Sequence, residues 1–511
     1  MVKPKLFSAV TIGSQSVTLK IMDISRQEVL EALRADVSIG TDIYNHKTIA
    51  ASTMHETSTA LAGFVQLMRD YDVTEYRAVA TASVREALNA EYVKEQIRLQ
   101  TGLEIAWVSN AEERFLHSQA AALKTPNFSQ LISEGTMLID IGSGSIQLTV
   151  YDEGEFMFSR NIKLGPLRVR ELLAELKVQT SNFADLLEDF IFSKIRDYAQ
   201  FAPKDVAYKH FILIGTDLLF FKQAFMGGSE DHQITRDYFD QLYMHMLEMP
   251  EQVLAKKYQL SYDAISQLLP SAMLLKELLK VTGAESILLS DAELVDGILV
   301  EESIRYKKIK LSHDFNEDLI ASAEHISRRY MTDQKHSEIV RKFALHLFNQ
   351  LKSLHGLKKR ERLLLELAAI LQDVGSFIDM NNHYVHSEYL IEATELIGLS
   401  ETEQKIVAAV ARYHSTETPS AGLENFGRYD TATRLTIAKL TAILRIADAL
   451  DDSHQQKVER ISVSLKKELL QISVWANDDL MLEKWTFDEK AEFFAEVYGI
   501  KPQIIEKGGL S

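Results

Sequence analysis

The residue pattern predicts an α/β fold up to about residue 304, then a helical region, then a small α+β tail. Three observations carry this. Two segments, residues 5–22 and 138–150, share one design: an apolar strand, a glycine turn and a returning alternating strand. Helical and strand-like patterns alternate between and after them, as α/β folds require. From about residue 305 apolar residues recur at helical spacing instead, for example Val340, Phe343, Ala344, Leu347, Phe348 and Leu351.

The chain is organised around residues 138–148, Leu-Ile-Asp-Ile-Gly-Ser-Gly-Ser-Ile-Gln-Leu. An apolar run ends at Asp140, a glycine-rich corner follows, and alternation resumes through Ile146, Leu148 and Val150. Gly142 and Gly144 let backbone approach a ligand, and their N–H groups could cradle an anionic oxygen. Asp140 would then stand where a divalent cation bridging phosphates is held. An ordinary β-hairpin satisfies the same pattern. Residues 7–22 repeat it around Gly13 and Ser14, which suggests two related halves facing one cleft.

Elsewhere the pattern gives a helix at 57–68 and a strand at 77–82, then a strand at 105–109 leading into Glu112 and Glu113. Strands follow at 211–215 and 286–289, with helices between them. Later helices are expected at 362–372, 389–397, 403–413 and 433–450, strands at 461–465 and 470–474, and a last helix at 490–497.

A chain of 511 residues exceeds one hydrophobic core, so three or four domains are expected. Apolar content of 46% with 25% charged residues is that of a soluble globular protein. The absence of cysteine excludes disulfides and thiolate metal sites. No signal-peptide core opens the chain and no run is long enough to cross a bilayer, so a cytoplasmic location is expected. A net charge of -17 argues against broad nucleic-acid binding, and a polyanionic ligand would need a locally basic channel. Lys358, Lys359, Arg360 and Arg362, with Arg328 and Arg329, read as a solvated helix face; a rim for a long polyphosphate is the other reading.

Several pieces in order resemble one family: Ile12-Gly13-Ser14, residues 81–87 (Thr-Ala-Ser-Val-Arg-Glu-Ala), Glu112-Glu113, residues 140–145, residues 164–168 and Ile214-Gly215-Thr216. Together they resemble the exopolyphosphatase / guanosine pentaphosphate phosphohydrolase (Ppx/GppA) family. The resemblance continues through His336, residues 372–375, His383, His386, residues 412–414 and Asp448, which look like that family's HD-type helical domain. It implies an actin-like (ribonuclease H-like) ATPase-fold pair of domains at 1–125 and 126–304, an HD-like domain at 305–457 and a small α+β domain at 458–511. It also implies hydrolysis of a terminal phosphoanhydride of inorganic polyphosphate or pppGpp, and a homodimer. That chemistry needs an in-line water, a carboxylate to activate it, and cations on the phosphate oxygens. Carried over, Glu113 would act on the water and Asp140 would hold Mg²⁺. Arg85 would grip the phosphate, and Gly13, Ser14, Gly142, Ser143, Gly144, Ser145 and Gly215 would cradle it.

The departures from the family pattern are as informative. Thr11 stands where the family has aspartate, Gln15 where it has asparagine, and Gln147 where it has glutamate. The third glycine loop reads Gly215-Thr216-Asp217-Leu218-Leu219, and Leu294-Val295-Asp296-Gly297 replaces Leu-Arg-Glu-Gly. Fewer carboxylates mean weaker binding of a hard cation. The alternative to a working hydrolase is therefore a degenerate relative that binds polyphosphate or a guanosine tetraphosphate-type signal without turnover. In the HD-like part Gln372 replaces the dyad histidine beside Asp373. His383, His386 and His414 could compensate as ligands, but hydrogen-bonded core or surface positions are the favoured reading.

Overall fold

The computed structural model describes residues 4–507, except 180–181, 201, 216–232, 259–261, 395, 421, 467–468 and 477. The chain forms two compact units, Met1–Asp318 and Leu319–Ser511.

The first unit is built on two sheets with a common plan. β1 (Leu6–Ile12) and β2 (Ser16–Asp23) form an antiparallel hairpin, β3 (Glu28–Asp36) extends it antiparallel to β2, and β4 (Glu75–Ala80) lies parallel to β1 with β5 (Ile105–Trp107) beyond it. The second sheet repeats this. β6 (Thr136–Ile141), β7 (Ile146–Asp152) and β8 (Glu155–Ile162) are antiparallel, and β9 (His210–Ile214) and then β11 (Ser286–Leu289) run parallel to β6. The short strand β10 (Gln233–Thr235) adds an antiparallel edge to β11. The duplicated hairpin read from the sequence is thus the seed of a duplicated five-strand order. Parallel neighbours need helical crossovers, and these cover the sheets. All six residues of β6 are buried, which explains why the strand reads as an almost continuous apolar run.

The helix Asn110–Lys124 follows β5. The Ser109 hydroxyl caps it by accepting the Glu112 N–H at 3.1 Å. Its buried side includes the charged or polar Glu113, Arg114 and His117 beside Leu116, Ala120 and Ala121. It packs on the helix Leu294–Arg305, where Gly297 is needed because a Cβ there would collide with the Leu116 carbonyl.

In the second unit the helices Gln334–Gln350, Lys359–Leu371, His383–Ala393, Glu401–Arg412 and Thr431–Ala449 enclose an apolar core. The three-stranded sheet of β12 (Val458–Lys466), β13 (Leu469–Ala476) and β14 (Lys501–Lys507) follows, with the helix Met481–Tyr498 between β13 and β14. Three expectations need correction. The helix expected at 57–68 begins at Ala51 and runs to Asp70. The helix expected at 389–397 begins at His383 and stops at Ala393, with Thr394 already extended. The tail helix starts at Met481, nine residues before the expected start, because its first turns carry partly exposed Met481, Leu482 and Trp485 that blur the apolar period. Among the described residues, no helix is long and apolar enough to cross a membrane.

Candidate functional site

Both glycine turns face one cleft in the first unit. Thr11, Gly13, Ser14, Gly142, Ser143 and Gly215 line it, together with Thr81, Glu113, Arg114 and His117. The turns meet across it through the hydroxyls of Ser14 and Ser143, 2.5 Å apart. The local chemistry differs from the expected amide cradle. The Gly13 N–H donates to the Ser16 carbonyl at 2.8 Å and the Gly142 N–H to the Ser145 carbonyl at 3.0 Å, so both amides close their own turns. Gly144 is small for another reason: a Cβ would collide with the Tyr44 hydroxyl, and its carbonyl accepts from Arg168 Nε at 2.8 Å. The Ser145 hydroxyl accepts from Arg114 at 3.1 Å. Gly215 lies at φ +128°, with the Ile141 carbonyl where a Cβ would stand. Thr216, Asp217, Leu218 and Leu219 of the third loop lie outside the described residues.

Asp140 closes the buried end of the site. Arg114 Nη1 approaches its Oδ1 at 2.7 Å and His117 Nδ1 approaches its Oδ2 at 2.5 Å. All three residues are at most 5% exposed. Burial alone would raise the Asp140 pKa, but the Arg114 guanidinium and His117 overcome it and hold it at about 2. Burial likewise lowers the His117 pKa, and the Asp140 carboxylate more than reverses this, so it lies above the ordinary value. His117 Nε2 has no hydrogen-bond partner among the described residues.

This arrangement does not fit the expected Mg²⁺. A hard cation needs several oxygen ligands, charged ones included. Here Asp140 already has a buried guanidinium on one oxygen and an imidazole on the other. Gln147, directly across the β6–β7 ladder from Asp140, turns its amide to Ser159. Thr11 holds the matching position on β1, opposite Thr18. Asp296 is ion-paired to Lys20 at 2.7 Å and Lys124 at 2.5 Å. Where the expected ion would stand, Arg114 and His117 contact the two Asp140 oxygens.

Glu113 lies at the cleft, 9% exposed, as the sequence suggested. Arg85 does not join it. It is exposed at the end of the short helix Ala82–Arg85, and the described cleft lining does not include it. Its neighbour Glu86 instead holds Arg168 at 2.7 Å. Sequence reasoning missed Arg114 and His117. Their signal was present: they follow Glu113 directly and lie three residues apart, on one side of an otherwise alanine-rich helix.

The Ppx/GppA phosphatase family model matches residues 20–305, and the model of that family's domain III matches residues 320–489. The chain belongs to the Ppx/GppA phosphatase family. It is 24% identical over 454 residues to a guanosine-5'-triphosphate,3'-diphosphate pyrophosphatase of Pseudoalteromonas translucida (strain TAC 125), covering 85% of this chain and 84% of that protein. It is 20% identical over 484 residues to the protein of the same name from Vibrio vulnificus (strain YJ016), covering 92% of each. The solved exopolyphosphatase of Cytophaga hutchinsonii ATCC 33406 superposes with a TM-score of 0.51 at 15% identity, over 59% of this chain and 98% of that one. That likeness is one of fold.

The second unit of this Ppx/GppA member holds a separate polar cluster. His336 places Nδ1 2.9 Å from Asp451 Oδ2 and Nε2 3.2 Å from Asp448 Oδ1. Burial opposes the imidazolium, yet the two carboxylates raise its pKa to about 10. Both ring nitrogens of His336 thus face carboxylates within hydrogen-bond distance. Asp448 is further ion-paired to Lys490 and accepts a hydrogen bond from Gln372 Nε2 at 2.9 Å. Gln372 thus fills the place of the dyad histidine as a hydrogen-bond donor. In the basic cluster, Arg360 pairs with Glu403 at 2.6 Å and Arg362 with Glu366 at 3.2 Å, which agrees with a structured helix face.

Proposed function

We propose that the first-unit cleft recognises the terminal phosphates of inorganic polyphosphate or pppGpp, and that binding there has outlived Mg²⁺-dependent turnover. The observation that carries this reading is the occupation of both Asp140 oxygens by Arg114 and His117. A ligand phosphate would meet the Ser14 and Ser143 hydroxyls and the Arg114 side. Phosphoryl transfer depends on concentrated positive charge at the transferring group, and Arg114 already shares its charge with Asp140. Binding is therefore better served than catalysis.

A second reading is favoured by Glu113 at the cleft. In it, Glu113 takes a proton from water as the water oxygen bonds to the terminal phosphorus and the bridging P–O bond breaks, leaving orthophosphate and a shortened chain. The helical part of the second unit belongs to the same inherited plan, and we read it as HD-like from the meeting of His336, Asp373 and Asp448. A homodimer and a cytoplasmic setting remain parts of this proposal.

The test is orthophosphate release and ligand retention with long-chain polyphosphate and with pppGpp, with and without Mg²⁺, for the intact chain and for Glu113→Ala. Binding without release supports the first reading. Mg²⁺-dependent release abolished by Glu113→Ala overturns it and establishes a hydrolase.

A further inference from the structure

The second unit contains a set of groups that the phosphate cleft does not use and that shares only Asp373, through its Oδ2, with the His336 network. Asp373 ends the segment after the helix Lys359–Leu371, His383 opens the helix His383–Ala393, and His414 follows the helix Glu401–Arg412. Three atoms converge. His383 Nε2 and His414 Nε2 are 3.3 Å apart, and they lie 3.6 Å and 3.3 Å from Asp373 Oδ1.

The protons on these rings are fixed from outside. His383 Nδ1 lies 3.1 Å from the Met380 carbonyl and His414 Nδ1 2.6 Å from the Ala411 carbonyl. A carbonyl only accepts, so each Nδ1 carries the hydrogen, and in the neutral form of each ring the Nε2 lone pair turns inward. Two imidazole lone pairs and a carboxylate oxygen thus face one point. That is an arrangement of mutual repulsion until a cation stands between them. Nδ1–H bonds to backbone carbonyls are also the supporting contacts that orient histidine ligands in metal sites.

The spacing is specific. Ligands around a tetrahedral ion with bonds of about 2.0–2.1 Å are about 3.3–3.4 Å apart, and the triangle here has edges of 3.3, 3.3 and 3.6 Å. Backbone packing holds it. A Cβ on Gly375 would collide with the His383 carbonyl and the Ser387 N–H, so glycine lets the turn after Asp373 sit against that helix. Ser387 fastens it, accepting the Gly375 N–H at 2.9 Å and donating to the Gln372 carbonyl at 2.6 Å. His414 is buried, while the Asp373 and His383 side chains each keep 19% exposure and leave a way in.

We propose that Asp373, His383 and His414 form a binding site for a zinc-class divalent ion, with three protein ligands and a fourth position open to water or an anion. Two imidazoles and one carboxylate select a borderline transition metal over Mg²⁺. The neighbouring Asp448 cannot take part, because Lys490, Gln372 and His336 already satisfy it.

The experiment uses the full chain, stripped with a chelator and dialysed against Zn²⁺ or Mg²⁺, with bound metal counted by elemental analysis and affinity measured by titration calorimetry. One Zn²⁺ per chain is expected, with no comparable uptake of Mg²⁺. His383→Gln and Asp373→Asn should each weaken Zn²⁺ binding by more than the roughly 10- to 100-fold that loss of a supporting hydrogen bond costs a metal site. X-ray absorption of the Zn²⁺-loaded wild type gives a readout that needs no variant: two imidazole nitrogens and a carboxylate oxygen at about 2.0–2.1 Å. Absence of Zn²⁺ uptake by the wild type overturns the proposal. So does undiminished uptake by both variants, or an absorption spectrum without two imidazoles.

Discussion

Asp140 and Asp373 are both buried acids beside histidine, and their surroundings give them opposite roles. At Asp140 the neighbours bring charge: Arg114 Nη1 is ion-paired to one oxygen and His117 Nδ1 stands against the other. At Asp373 the neighbours bring lone pairs, because His383 and His414 spend their Nδ1 hydrogens on backbone carbonyls. Burial alone would raise the Asp140 pKa, and the adjacent Arg114 and His117 bring it to about 2. What a buried carboxylate can bind is decided by whether the groups around it donate or accept.

The largest expected effect breaks the first member of this comparison. Asp140→Ala takes the carboxylate from a buried guanidinium, and removing one partner of a buried ion pair costs about 3–5 kcal/mol. Urea unfolding should show a loss of that size, with much of it recovered in Asp140→Ala/Arg114→Met. Asp373→Asn, measured without metal, should cost far less, since it relieves a crowd of acceptors. Equal losses for the two would sink the distinction.

A smaller effect concerns pH. The Asp140 pKa falls on folding from 3.8 to about 2, which corresponds to about 2 kcal/mol of stability. A depressed carboxylate contributes fully above its unfolded pKa and loses that contribution as pH falls through the folded one. The stability gap between the wild type and Asp140→Asn should therefore hold from pH 7 to about 4 and narrow between about pH 4 and 2. A gap that stays constant over that range would show that the ion pair is not linked to folding.

Next comes an attempt to turn the first site into the second kind. Gln147→Glu places a carboxylate across the ladder from Asp140, yet Mg²⁺ should give it no thermal stabilisation while Arg114 and His117 remain. Adding Arg114→Ala and His117→Ala should let Mg²⁺ stabilise the protein by about 1–2 kcal/mol through binding to the folded state alone. A Mg²⁺-dependent shift in the single variant would show that Arg114 does not block the site. The smallest effect is a control: His386→Ala, at a half-buried position outside the converging set, should leave Zn²⁺ uptake unchanged and stability within about 0.5 kcal/mol.

Much of the fold was legible. The two hairpins could be read because glycine turns interrupt apolar strands at matching places, and the alternation around them announced the duplicated α/β plan. Glu113 and the serine turns were assigned to the site from the family resemblance instead, and both line the cleft. Less legible was what each glycine is for. Gly13 and Gly142 close their own turns and Gly144 makes room for Tyr44, and these are packing facts no local pattern contains. Arg85 looked like the phosphate-gripping arginine from its motif, whereas Arg114 reaches the cleft because the helix Asn110–Lys124 turns that side inward. The tail helix was underestimated because exposed apolar side chains disturb its period.

The sequence by itself determined the class of fold, the family, the absence of thiolate chemistry and the scarcity of acids around Asp140. These depend on composition and on residues close in the chain, where periodicity and turn chemistry act directly. Only the tertiary structure decided which charges meet. Arg114 reaches Asp140 over 26 positions of chain, and Asp373, His383 and His414 come from three elements, joined by a glycine turn and a serine bridge. Donor or acceptor character at a ring nitrogen depends on which carbonyl its other nitrogen finds, and that partner is chosen by packing.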